Sequence, residues 1–313
     1  MVLLIAIVAV LFLSLLAFAV VFALADGDFT LLTARPAKRE EIEGKVVWIT
    51  GASRGIGEVL AKQFAKLGAR LILSARNVAE LERVKAEILG KNSSCEVEVL
   101  PMDLTTSEES LRESVQKAES YFSYAGVDYM VHNAGRIPRL ASALKITEES
   151  LMTTFQTNVL GPIALTRLLA PYMLKRRRGH FIVISSAVGK VHSPFQTDYC
   201  ASKFALNGYF HTLRTELLHR GIKVTVVCPG QIDVFPDIGD DNPLPPVPVE
   251  RCVRLIITAA IHGLKEVWIA KQPILLTMYV MQYMPSIGFW VMDKVGAATP
   301  EPSATSSQKK KAT

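Results

Sequence analysis

Between Lys45 and Ile269 short β-rich apolar runs alternate with segments of helical spacing, and this alternation restricts the fold more than any other feature. Lys45–Thr50 (KVVWIT) is continuously apolar apart from its ends, as in strands buried on both faces of a parallel sheet. Gly55–Leu67 then carries Ile56, Leu60, Phe64 and Leu67 at helical intervals, and Arg70–Ala75 (RLILSA) reads as a second strand. Asn77 with Glu80 reads as a capping pair that opens the next helix. Strand-like runs return at Val97–Met102, Val127–His132, Phe181–Ser185 and Val224–Cys228, with helical stretches between them, notably Glu148–Leu174 and Tyr199–Arg220. Such a succession predicts an α/β chain with a Rossmann-type, doubly wound parallel sheet and helices on both faces. No internal repeat is visible, so a single catalytic domain is expected over 45–296.

The ends carry different signals. Val2–Ala25 is a run of 24 uncharged residues, long enough as a helix to cross a hydrocarbon core of about 30 Å. A secretory signal has a basic n-region and an apolar core of about 7–15 residues. Here no Lys or Arg precedes the run, although Ala23-Leu24-Ala25 fits a cleavage pattern. A retained single-pass anchor over 1–25, followed by a linker over 26–44, is the expectation, with cleavage as its alternative. Arg35, Lys38 and Arg39 follow the run, which by the positive-inside rule leaves the domain in the cytosol. The final Lys310-Lys311-Ala312-Thr313 resembles the dilysine retrieval signal of endoplasmic reticulum membrane proteins. The same lysines also read as the solvated end of a disordered Pro/Ser/Thr-rich tail over 297–313. The sequon Asn92-Ser93-Ser94 would take a glycan only on the lumenal side. The expected address is therefore the endoplasmic reticulum membrane, with the facing side left open.

Two further stretches stand apart. Asp233–Val249 holds five prolines and reads as a long surface loop over a site, or as a plain linker. Ile274–Met292 is 19 uncharged residues interrupted by Gln282, Pro285 and Ser286. It is expected to lie on the membrane or to line the mouth of the substrate site. Lys175-Arg176-Arg177-Arg178 reads as a solvated turn, able near a membrane to touch anionic headgroups.

Composition narrows the function classes. Half the chain is hydrophobic, 35 Lys and Arg stand against 29 Asp and Glu, and every charge lies beyond Ala25. A disordered chain, a collagen-like repeat and a polytopic channel are excluded. No nucleic-acid partner is expected; membrane lipid is. Cys95, Cys200, Cys228 and Cys252 lack paired spacing and the six histidines form no two-His helical motif, so neither a disulfide framework nor a metal is expected.

Chemistry starts directly after the first strand, at Thr50-Gly51-Ala52-Ser53-Arg54-Gly55-Ile56-Gly57. Glycines there allow a tight turn, close backbone approach to a pyrophosphate, and a helix whose N-terminal N–H groups face the phosphates. The spacing is Gly-x3-Gly-x-Gly rather than the Gly-x-Gly-x-x-Gly of other dinucleotide folds. Asp103, His132-Asn133-Ala134-Gly135, Asn158, Ser186, Tyr199-x-x-x-Lys203 and Pro229-Gly230 follow in order, Ser186 standing thirteen residues before Tyr199. Reduction of a ketone by hydride creates an alkoxide that needs a proton. Lys203 lies one helical turn after Tyr199, where its charge would favour the phenolate and lower the phenol's pKa. Ser186 can hold the substrate oxygen. Jointly, Asn158, Ser186, Tyr199 and Lys203 read as catalytic.

With this set the chain resembles the short-chain dehydrogenase/reductase family from Lys45 to about Ile269. The resemblance implies that Asn158 steadies a proton-relaying water and that Lys203 also binds the nicotinamide ribose. It implies cofactor contacts at Gly51, Ser53, Arg54, Gly55, Ile56, Gly57, Asp103, Asn133, Ala134, Gly135, Tyr199, Lys203, Pro229, Gly230 and the backbone of Ile232. His132 stands where asparagine is usual, and Val234 where a threonine commonly meets the cofactor. The second strand ends Ser74-Ala75-Arg76 with no acid to bind ribose hydroxyls, whereas Arg54 and Arg76 suit a 2′-phosphate; NADP(H) is expected. Outside the shared core, segments such as Ala25–Leu32, Lys265–Ile269 and Gln282–Pro285 resemble the dehydrogenase/reductase SDR family member 7 group. That implies a microsomal reductase of lipophilic carbonyl compounds such as steroids and retinoids. A 3-ketoacyl-CoA or 3-ketosphinganine reductase needs the same machinery and address. A catalytically idle NADP-binding scaffold is disfavoured by the complete Asn158, Ser186, Tyr199 and Lys203 set. The apolar helices after Glu148 and Tyr199 suit either a homodimer or core burial.

Overall fold

A computed structural model of the chain describes residues 1–92, 94–234 and 244–302. Its seven-stranded sheet contains β1 (Val46–Thr50), β2 (Arg70–Ser74), β3 (Val97–Val99), β4 (Tyr129–His132), β5 (Gly179–Ile184), β6 (Ile222–Pro229) and β7 (Glu266–Ile269). The order is β3-β2-β1-β4-β5-β6-β7 and every pairing is parallel, with Val47 between Leu71 and Tyr129. Around it lie α1 (Val2–Leu24), α2 (Phe29–Leu32), α3 (Gly55–Lys66), α4 (Val78–Lys91), α5 (Glu108–Tyr124), α6 (Glu148–Phe155), α7 (Gly161–Arg176), α8 (Thr197–Leu217), α9 (Val249–His262), α10 (Ile274–Tyr283) and α11 (Pro285–Ala298).

All five residues of β1 are buried because both faces of the sheet are covered. Side chains alternate across a strand. Val47 and Ile49 pack with Leu60 and Phe64 of α3 and Ile256 of α9. Val46 and Trp48 pack on the other face with Leu165 and Leu169 of α7 and Phe210 of α8. The strand order reverses direction between β1 and β4, and ligands of such sheets bind beyond the carboxyl ends of the strands at that point.

Several expected elements differ in detail. β3 stops at Val99 although Leu100 and Met102 still donate to Leu73 and Ala75, because β2 itself ends at Ser74 and leaves no ladder beyond it. Glu148–Leu174 is helical throughout but holds a π-helical turn over Gln156–Leu160, a distortion that often marks functional positions. β7 has no counterpart among the strands read from the sequence, since its charge and tryptophan obscure an apolar pattern. Its Glu266 carboxylate is engaged: Lys190 Nζ lies 2.9 Å from Oε1 and His211 Nε2 2.6 Å from Oε2. Burial alone would raise the Glu266 carboxyl, yet the hydrogen bonds from His211 and Lys190 hold it down at about 2.

The Lys175–Arg178 run departs from a purely solvated turn. Arg176 binds Glu119 and the Val127 carbonyl, and Arg178 Nε lies 2.7 Å from Asp128, so two of the four cations knit the end of α7 to α5 and β4. Residues after α1 are also folded onto the domain. Asp28, 6% exposed, accepts from Thr30 N and Leu31 N and, at 2.6 Å, from Trp268 N of β7. Arg251 of α9 binds Asp26 through two nitrogens at 2.8 and 3.0 Å. At the other end α11 reaches Ala298, two residues into the stretch expected as tail. The terminal lysines, Ser93 of the sequon and residues 235–243 of the proline-rich loop lie outside the described residues.

His132 is a core residue. Its Nε2 meets Thr166 Oγ1 at 2.7 Å and its ring lies against Phe181 and Phe210. Burial pulls it down to about 3, and the buried His180 likewise. Between pH 6.5 and 3 the unfolded chain therefore binds more protons than the folded one, and stability is lost as the pH is lowered through that window. His132→Asn is expected to flatten the fall of Tm between pH 6.5 and 4, measured by thermal melts; an unchanged slope would refute the assignment.

Candidate active site

The glycine turn joins β1 to α3 at the carboxyl edge of the sheet. Gly51 and Gly55 have φ of +66° and +60°, a region that disfavours side chains. A Cβ on Gly57 would lie 2.2 Å from Gly51 O, so the third glycine is required by backbone contact. The turn is braced from β4: Asn133 Nδ2 donates to Thr50 O and Gly51 O at 3.0 and 3.1 Å. Thr50 Oγ1 donates to Val131 O and accepts from Asn133 N and Ala134 N. The neighbouring ends of β1 and β4 are thereby locked around the turn that opens α3. This cradle fits a dinucleotide pyrophosphate. Val234 Cγ1 lies 2.9 Å from a Cβ built on Gly55, which brings the segment after Pro229-Gly230 over the same turn. Gly230 N donates to Ile269 O at 2.8 Å, and Ile232 pairs with Val247.

Arg54 and Arg76 leave the edges of adjacent strands, which are linked by Ala52 N donating to Ser74 O at 3.1 Å. Both arginines are exposed, and among the described residues neither makes an ion pair. Arg83, by contrast, is engaged by Glu58, Glu80 and Glu87 while its Nη2 donates to Ser53 O at 3.3 Å. Asp103 Oδ1 accepts from Thr105 N and Oγ1, each at 2.9 Å, which shapes the turn after β3.

The four expected catalytic side chains come from three elements. Asn158 sits buried in the π turn; its Oδ1 accepts from Arg136 N at 2.7 Å and its Nδ2 donates to Arg136 O and Ser202 Oγ at 2.9 and 3.1 Å. Ser202 Oγ in turn donates to Tyr199 O at 2.7 Å, which couples the π turn to α8. Lys203 Nζ donates to Ile184 O at 3.0 Å and lies 5.6 Å from the centre of the Tyr199 ring. A Cβ on Gly135 would sit 3.5 Å from Asn158 Oδ1 and 3.8 Å from Lys203 Nζ, so the β4 motif borders both. Ser186 stands two residues beyond β5; its Oγ accepts from Val188 N and donates to Pro229 O at 3.5 Å, and it lies near enough to Tyr199 to favour the phenolate. Thr50, Arg136 and Ser202 were not singled out in the sequence, because their roles are bonds to residues 22 to 84 positions away.

Electrostatics correct one expectation. Burial pushes the Tyr199 phenol up to about 12, and the hydrogen bond with Ser186 offsets this only in part. Burial also pulls Lys203 down to about 8. The lowering of the Tyr199 pKa expected from the lysine's charge is absent, since desolvation disfavours both charged forms. A cavity of about 570 Å³ lies on the other side of α8, between Cys200 and Phe204, Pro194, and Met292 of α11. Tyr199 and Lys203 do not line it, so the reacting centre lies elsewhere, beside the glycine cradle.

Strand order, glycine turn and the tyrosine–lysine helix together define a short-chain oxidoreductase. The chain belongs to the short chain dehydrogenase family, which it matches over residues 45–239. Members of that family are oxidoreductases that use nicotinamide cofactors. Among known proteins it is 39% identical over 293 residues to Dehydrogenase/reductase SDR family member 7 of Homo sapiens, covering 88% of this chain and 85% of that protein. It is 32% identical over 270 residues to Dehydrogenase/reductase SDR family protein 7-like of Drosophila melanogaster, covering 82% of each. A solved metagenomic short-chain oxidoreductase in complex with NADP is similar with a TM-score of 0.63 and 30% identity, over 74% of this chain and 99% of that one.

Proposed function

We propose that the protein is an NADP(H)-dependent carbonyl reductase, reversible as an alcohol dehydrogenase, that acts on lipophilic substrates at the endoplasmic reticulum membrane. The observation that carries the reading is the convergence of Asn158, Ser186, Tyr199 and Lys203 beside the glycine cradle. A nicotinamide dinucleotide bound there supplies the hydride for reduction. Tyr199, protonated at neutral pH, is the proton donor, passing the hydrogen of its Oη to the carbonyl oxygen as that oxygen becomes an alkoxide. Ser186 Oγ holds the same oxygen next to the phenol. Lys203, tied to Ile184 O, supports the phenolate left after transfer. Asn158 keeps the Arg136 backbone and Ser202 in place around them.

Arg54 and Arg76, exposed and without an ion pair among the described residues, support the preference for NADP(H), because a guanidinium suits a 2′-phosphate. Ser substitution at both is expected to raise KM for NADPH by about tenfold or more, a charge-assisted hydrogen bond being worth ~1.5–3 kcal/mol. KM for NADH should stay unchanged, and equal kcat/KM for the two cofactors in the wild type would overturn the preference. The exposed apolar helix Leu3–Leu24 supports membrane anchoring and hence a substrate that partitions into lipid. A turnover screen with NADPH and a lipid extract tests the whole reading: apolar carbonyl compounds should disappear as NADPH is consumed. Tight NADPH binding without any turnover would return the idle scaffold.

A further inference from the structure

After β7 the chain adds α10 and α11, and these leave large apolar side chains uncovered. Tyr283, Met284, Ile287, Phe289 and Trp290 are all exposed, Tyr283 by 71% and Trp290 by 61%. On α11 the buried residues are Gly288 and Met292, four apart and facing the domain. Ile287 and Trp290, three apart, lie on the opposite side of α11, and exposed Tyr283 closes the preceding α10. Ile274–Met292 contains no charge; Asp293 and Lys294 follow it. A contiguous apolar face of this kind marks an interaction surface.

Its position relative to α1 says what covers it. Gln272 Nε2 donates to Phe22 O at 2.9 Å. The Phe22 ring lies 5.6 Å from Tyr279, and Tyr279 stacks on Tyr283 at 6.2 Å. Phe18, about 9 Å deeper along α1 than Leu24 at 1.5 Å per residue, still meets Phe29 at a centroid distance of 5.3 Å. A hydrocarbon core takes about 20 helical residues, so the 22 of Leu3–Leu24 leave little to spare, and the boundary falls near Leu24. Phe22, Phe29, Tyr279 and Tyr283 then stand at the depth where aromatic rings gather at a membrane surface. The Asp28 and Arg251 bonds bind this junction to the domain, which fixes the domain's attitude to α1.

We propose that α10 and α11 form a second membrane contact, lying in the boundary between headgroups and acyl chains, so that the catalytic domain rests on the bilayer. The occupant of the apolar face is lipid: the face continues the aromatic junction at the end of α1, and an apolar face bearing Trp and Phe suits a helix lying in that plane. The inference rests on α1 being a membrane anchor.

The protein's own tryptophans provide the test. There are three; Trp48 and Trp268 are 0% and 6% exposed, and Trp290 is 61% exposed. The full chain is reconstituted in phosphatidylcholine vesicles with plain or brominated acyl chains, floated on a density gradient, and its emission is compared. Brominated lipid is expected to quench part of the emission of wild-type protein, and Trp290→Phe to lose that quenching. Failure to float with vesicles would defeat the anchor reading itself. Flotation without quenching, as when a second copy covers the face, or quenching undiminished in Trp290→Phe, would overturn the second contact alone.

Discussion

Tyr199→Phe is expected to lower kcat for carbonyl reduction by about 10²–10⁴-fold, the usual worth of a positioned proton donor, with NADPH affinity retained. The substitution removes one oxygen from a half-buried side chain whose ring still packs beneath Lys203 Nζ, so the fold and the glycine cradle are untouched. Steady-state NADPH oxidation and a fluorescence titration of NADPH separate the two quantities. A variant within tenfold of the wild-type rate would remove Tyr199 from its role. The direction of its pKa shift adds a requirement. A phenol at about 12 is fully protonated at pH 7 and is poised to give a proton, not to take one. Oxidation of an alcohol needs the phenolate, so the reverse reaction should gain rate as pH rises above neutrality.

Gly57→Ala is expected to abolish tight NADPH binding, raising Kd by more than about tenfold, and to lower Tm. Overpacking a site with no room to give costs ~1–3 kcal/mol. The new methyl group would lie 2.2 Å from Gly51 O and 2.5 Å from Asn133 Nδ2, and the first of these is backbone that cannot swing aside. Relief requires the turn to open, which moves the N–H groups meant for phosphate. Gly90→Ala is the control. It also lies in a helix, but nothing stands within 4 Å of its added Cβ. That variant should gain about 0.5–1 kcal/mol through the helix preference for Ala over Gly. Equal effects of the two substitutions would show that helix propensity, not contact with Gly51, governs position 57.

The contrast between these glycines shows where sequence reading reaches and where it ends. Gly51, Gly55 and Gly57 were legible because their spacing follows a strand and opens a helix. The reason for Gly57, contact with a carbonyl six residues back and with Asn133 from β4, appears only in three dimensions. The sequence offers Asn133 as a cofactor contact; the structure adds that its side chain bonds to Thr50 and Gly51 and so makes the turn rigid. His132 shows the same limit. Its departure from the usual asparagine is explained by Thr166 and Phe210, which lie 34 and 78 positions on and turn the residue into core. Asp28 and Asp26 looked like the start of a linker, because a short acidic segment gives no sign of partners on β7 and α9 more than two hundred residues later.

By itself the sequence determined the α/β class, the location of the glycine turn and the pairing of Tyr199 with Lys203. Each is a local regularity: side-chain period along a strand, residues per helical turn, and glycine where the backbone must fold tightly. Tertiary structure alone decided the protonation of that pair, the bracing of Asn158 by Arg136 and Ser202, and the fixed attitude of α1 to the catalytic domain. Desolvation and hydrogen bonding depend on which distant segments share a volume, and that is set by the packing of the sheet and its helices rather than by any single stretch of chain.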